Sequence, residues 1–163
     1  MTQPINDEYI HQRYSRDLPQ ENIDNLKRAM AKYGDNRWWE SEDPVTIARY
    51  QIFENIFMSS TFSIFHEGLE KLLERAVYTH ELGLNMKGIR AEASEAIARL
   101  DSKAPPLDKG IAEERELKGI QALFDYAKKS GKAIISTIPQ DKYERTPVFK
   151  IEEPNFKVEN DGN

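Results

Sequence analysis

Between Ile23 and Ala127 the apolar residues recur at steps of three and four, and this spacing constrains the fold more than any other feature of the chain. Side chains at those steps share one face of an α-helix, so each run predicts a rod with a stripe to bury. Ile23, Leu26, Met30 and Tyr33 form the first stripe, with Pro19 near the helix start and Gly34 where a C-terminal cap belongs. Asp43 and Pro44 open a second helix, a capping side chain followed by a ring whose missing N–H costs nothing at that position. Its apolar residues, from Val45 to Phe57, cover more than one face, as a centrally placed helix requires.

The cluster Ser59, Ser60, Thr61 interrupts or caps that helix before Phe62, Phe65, Leu69, Leu72 and Leu73 form a third. Gly83 suits a helix end and Asn85 the next N-cap, after which Met86, Ile89, Ala93, Ala96, Ile97 and Leu100 give a fourth. Pro105 and Pro106 force a loop. The fifth and longest helix runs from Leu107 to Ser130, with Lys128 and Lys129 at the negative end of its dipole and Gly131 beyond it.

The expected fold is therefore all-α, a bundle of about five helices forming a core over residues 19–131. Residues 1–18 are read as an N-terminal arm or short helix carrying Tyr9, Ile10 and Tyr14. Residues 132–163 read as a short strand-like segment at Ile134, Ile135 and Ile138, then an extended C-terminal arm. Pro139, Pro147 and Pro154 mark that arm, and Val148, Phe149, Ile151, Phe156 and Val158 anchor it. The whole is one domain by length.

Composition narrows the chemistry. With 39% hydrophobic and 31% charged residues the chain is that of an ordinary folded protein. It lacks an apolar run long enough for a bilayer span and a signal-peptide pattern at its start, so the expected location is the cytoplasm, with no membrane partner. The absence of cysteine removes disulfides, thiolate nucleophiles and Cys-ligated metal sites together. A net charge of -5 argues against a nucleic-acid partner on electrostatic grounds.

Two places invite a site. Trp38 and Trp39 are adjacent, and neighbouring side chains diverge on helix and strand alike; the structural expectation is that both are largely buried by the N-terminal segment and the proline-marked tail, the alternative that one packs inward while the other covers a seam or meets a partner. Together with Phe149 and Phe156 of the tail they are the candidate interaction residues. The second place is acidic: Glu67 and Glu70 pair with Glu92 and Glu95 as two E-x-x-E steps on successive helices, and His66 stands four residues before Glu70. Facing carboxylates of this kind can hold Mg²⁺ and through it a phosphate.

That acidic spacing is similar to the pattern of the all-α nucleoside triphosphate pyrophosphohydrolases, over about a third of the chain. Glu95 departs from it, standing where the family usually has an aspartate. The resemblance implies a metal-dependent nucleotide hydrolase using Mg²⁺. No other catalytic arrangement is present: the serines lack a nucleophile elbow, glycines form neither a Walker loop nor a dinucleotide fingerprint, and His11, His66 and His80 lack triad partners.

The preferred expectation is a small non-enzymatic interaction or regulatory module, an inhibitor or self-associating adaptor. It would have no catalytic residues and no cofactor, and would bind another protein or itself as a homo-oligomer. The metal-dependent hydrolase is the alternative.

Overall fold

A computed structural model of the 163-residue chain describes residues 2–14 and 17–131. Seven α-helices are present among the described residues, and no strand: α1 Asp7–Arg13, α2 Gln20–Ala31, α3 Pro44–Gln51, α4 Phe62–Leu73, α5 Thr79–Leu84, α6 Met86–Asp101 and α7 Lys109–Ser130. A single 3₁₀ turn, Trp38–Glu40, sits between α2 and α3. The fold is all-α, but the helix count is seven where about five were expected. The strand-like run at Ile134–Ile138 and the tail anchors Phe149 and Phe156 lie outside the described residues.

The two additional helices are short, and each is held by a local device that apolar periodicity does not reveal. In α1 the Asn6 side chain accepts from the Tyr9 amide, and only Tyr9 and Ile10 are buried. In α5 the Glu81 carboxylate reaches back to accept from the Tyr78 amide at 3.1 Å, while the Glu81 amide donates to the Tyr78 carbonyl at 2.8 Å. Gly83, expected at a helix end, is the next-to-last residue of α5.

A second difference concerns α3, whose apolar residues continue to Phe57 although the helix stops at Gln51. The Gln51 side chain is the cause. Its amide nitrogen donates to the Ile56 carbonyl at 2.9 Å, and its oxygen accepts from the amides of Met58 and Ser59 at 2.7 and 3.0 Å. One buried side chain so satisfies three backbone groups of a loop that would otherwise compete with a helix. Thr61 then caps α4, accepting from the Ile64 amide.

The core draws on α1, α2, the 3₁₀ turn, α3, α4 and α6, including Ile10, Met30, Trp39, Ile47, Leu69 and Ile89, and Leu82 of α5 packs against it partly buried. The closest approach is between α3 and α4, where Gly68 lets the Pro44 carbonyl lie against the α4 backbone. The longest helix contributes nothing to this core: α7 leans on α5 through Gly119 and Leu123. No helix among the described residues is long and apolar enough to cross a membrane.

Candidate functional site

The tryptophan pair is a structural centre. Both rings are buried, at 2% and 0% exposure, which agrees with the structural expectation and not with the alternative in which one indole faces outward. Two adjacent side chains can both be buried here because the 3₁₀ turn sits in a pocket walled on opposite sides. Trp38 stacks on Tyr50 of α3 with centroids 5.7 Å apart, while Trp39 sends its indole N–H to the Tyr9 hydroxyl of α1 at 2.8 Å. Tyr33 from the end of α2 meets both rings edge-on. The Tyr9 hydroxyl in turn donates to Glu40 at 2.5 Å, and Arg13 donates to the Trp39 carbonyl. The turn is thus clamped by the N-terminal segment from one side and by α3 from the other.

The acidic candidates are each engaged separately. Glu67 pairs with Lys71 on the surface of α4 at 2.8 Å, and Glu95 of α6 with Arg115 of α7 at 2.6 Å. Glu70 accepts from the Val77 amide at 3.2 Å. His66 reaches the carbonyl of the same residue with Nε2 at 2.6 Å, and since a carbonyl can only accept, Nε2 must carry the proton. The His66 and Glu70 pair, four residues apart, therefore grips both polar groups of Val77 and fixes the turn that follows α4. No group of three or more metal-capable side chains comes together among the described residues.

Glu92 leads to the most concentrated charge in the molecule. Arg75 follows the left-handed residue Glu74 that ends α4, and its side chain is fully enclosed. Nε and one terminal nitrogen hold Glu92 of α6 at 2.9 and 3.0 Å. The two terminal nitrogens hold Glu81 of α5 at 3.1 and 3.0 Å, and one also donates to the Ala76 carbonyl at 2.7 Å. These contacts use all five donors of the guanidinium, leaving none for a ligand. Burial alone would lower the Arg75 pKa, but hydrogen bonds and charge from Glu92 and Glu81 outweigh it and raise the value. Gly119 of α7 lies over this junction, since a Cβ there would sit 2.4 Å from Glu81 Oε2. Arg75 and Glu81 escaped notice in the sequence because nothing in local spacing distinguishes a buried arginine from a solvated one.

At the surface the most unusual feature is aromatic. Phe53 and Phe57 in the loop after α3, and Phe62 at the start of α4, are 42% to 46% exposed. Phe57 and Phe62 approach within 6.3 Å, and both pack on the buried Phe65 at 5.9 and 6.0 Å. Phe62 also stacks on the His66 ring, 5.7 Å away. The loop that presents them is the one Gln51 ties down, so the rings stand on a fixed frame.

Residues 45–102 match a family described only as a domain of unknown function, DUF7736. The matched stretch takes in α3 to α6, and so contains the phenylalanine patch and the Arg75, Glu81 and Glu92 network, while the tryptophan turn and α7 lie outside it. No curated protein and no solved structure matches the chain.

Proposed function

We propose that the protein is a small non-enzymatic interaction module, and that the patch formed by Phe57 and Phe62 over Phe65, with Phe53 in the same loop, is where a partner protein docks. The observation carrying this reading is the exposure of large aromatic rings on a loop whose backbone is held by Gln51. Rings left in water gain free energy on burial against a partner, and a pre-ordered loop loses little entropy in binding. Aromatic residues are also the commonest carriers of interface energy. The carboxylates and the guanidinium, by contrast, are engaged with other side chains or with backbone.

The test uses the full chain and a Phe57→Ser, Phe62→Ser double variant as baits, with captured proteins identified by mass spectrometry. Both side chains are partly solvated already, so the variant is expected to keep the wild-type helix content by circular dichroism. A partner enriched tenfold or more by the wild type and lost by the variant is the expected result. Identical captures by the two baits would end this reading.

A further inference from the structure

One stretch of the chain stands apart in its charge. Residues 55–65 include no charged side chain, although 31% of the whole sequence is charged. They carry Phe57 and Phe62, and their exposed polar side chains are Asn55, Ser60, Thr61 and Ser63, all neutral. Other large exposed apolar residues differ in this respect: Leu100, Ile111, Leu117 and Tyr126 each stand within two residues of a charged side chain.

The charges that border the stretch are engaged within the chain. Glu54, next to Phe53, is held by Lys32 at 3.0 Å and by the Tyr33 hydroxyl. Arg90 of α6 donates to the Ile52 carbonyl at 2.8 Å and to Asn55 at 3.3 Å, and Glu67 pairs with Lys71. A polyanion or a strongly charged peptide therefore finds no field at the rings to answer its own. What fits is an uncharged surface, apolar at its centre, with groups that both donate and accept, as every Ser and Thr hydroxyl does.

A second copy of this chain supplies that surface by symmetry. In a two-fold pair the same patch lies on both sides, so a charge within it meets its own sign. Two bodies of net charge -5 can meet closely only where that repulsion is absent, and residues 55–65 provide such a place. The area sets the strength. Phe53, Phe57 and Phe62 are 43%, 42% and 46% exposed, and with about 200 Å² to each ring they leave about 250 Å² per copy, or about 500 Å² for the pair. That is well below the roughly 1,200 Å² at which stable interfaces begin, so the pair is reversible and fills only at high concentration.

We infer that a second copy of this chain docks on the phenylalanine patch, Phe57 and Phe62 of each copy closing on the same rings of the other about a two-fold axis. The inference rests on the docking role proposed above and names its partner.

Sedimentation equilibrium on the full chain, from micromolar to millimolar concentration, tests it. The mass of the wild type rises from that of the monomer towards twice that value. Raising the salt about tenfold changes the dissociation constant less than about twofold, because no ion pair crosses the interface. Phe62→Asp sets a carboxylate against the opposing rings in both copies and is expected to weaken association at least about tenfold. Ser60→Arg is the companion variant: it leaves every ring in place on Phe65, adds a guanidinium to both sides, and is expected to weaken association by a similar factor. Circular dichroism confirms that each variant keeps its helix content. Untagged wild-type chain added to the capture experiment is retained by the wild-type bait and lost by the Phe57→Ser, Phe62→Ser bait, so docking of a second copy and docking of another protein are read separately. A wild type that stays monomeric throughout overturns the second copy as occupant and leaves the docking role to the proteins captured. Association that persists in both Phe62→Asp and Ser60→Arg, or that salt abolishes, overturns the patch as the contact between copies.

Discussion

A Cβ placed on Gly68 would lie 1.8 Å from the carbonyl oxygen of Pro44, closer than any two such atoms can approach. The obstacle is backbone, at the first residue of α3, so no side chain can rotate to make room. Gly68→Ala must separate α3 from α4 and is expected to cost about 3 kcal/mol or more, the upper range for overpacking. Gly83 provides the control. It too is helical, but a Cβ there meets nothing within 4 Å, so Gly83→Ala is expected to stabilise by about 0.5–1 kcal/mol through backbone entropy. Urea unfolding of both variants checks the pair, and equal effects would show that the α3 and α4 contact is looser than described.

The Arg75 junction makes a graded prediction. Glu81 is fully enclosed beside Arg75, whereas the Glu92 side chain keeps 19% of its surface in water. Removing one partner of a buried pair costs about 3–5 kcal/mol, because the remaining charge stays desolvated. Glu81→Ala is expected at that level, and Glu92→Ala below it, since water can enter where Glu92 stood. Gly119→Ala presses a methyl onto the Glu81 carboxylate and should also destabilise, although the contact is to a side-chain end and a shift of Glu81 can relieve part of it. Chemical unfolding ranks the three. An order with Glu92→Ala costliest would refute this account of the junction.

The long elements were legible in the sequence because local signals and tertiary needs agree there. Asp43 does cap α3, accepting from the amides of Val45 and Thr46, and Gly131 does adopt the left-handed conformation after α7. Where the reading failed, one side chain was decisive through contacts remote in sequence or invisible to periodicity. Gln51 ends α3 early, and Glu81 holds α5 together. The acidic steps illustrate the same limit: Glu67 pairs with Lys71 one turn on, as helical spacing alone indicates, but Val77, Arg75 and Arg115, the partners of Glu70, Glu92 and Glu95, could be assigned only in space.

Buried phenols make the fold sensitive to alkali. Tyr9, Tyr14, Tyr33 and Tyr78 all have pKa values raised first by burial, and Glu40, Glu54 and Glu116 add to the effect at Tyr9, Tyr33 and Tyr78 respectively. Tyr14 is pushed up to about 12, and its hydroxyl donates to the Met58 carbonyl at 2.5 Å. A phenol whose folded pKa lies above its unfolded value near 10 favours the folded state at every pH below that value, and the advantage disappears as pH rises from there through the folded pKa. The urea midpoint is therefore expected to fall above about pH 10. Tyr14→Phe should lose about 1 kcal/mol at neutral pH and show a shallower fall in alkali. Parallel alkaline profiles for the variant and the wild type would contradict the role given to Tyr14.

The tryptophans provide a spectroscopic prediction. With Trp38 sealed between Tyr33 and Tyr50, and Trp39 bonded to Tyr9, neither indole is open to a charged solute. Native fluorescence is expected to be blue-shifted and nearly insensitive to iodide, with quenching that rises severalfold on unfolding as both rings reach water. Trp39→Phe removes the N–H that holds the Tyr9 hydroxyl and leaves Trp38 as the only emitter. Its emission should stay blue-shifted while stability drops by about 1–3 kcal/mol, the range for a buried phenol that loses one hydrogen-bond partner. Strong iodide quenching of the native wild type would place an indole at the surface, and the tryptophan turn would again be a candidate docking site.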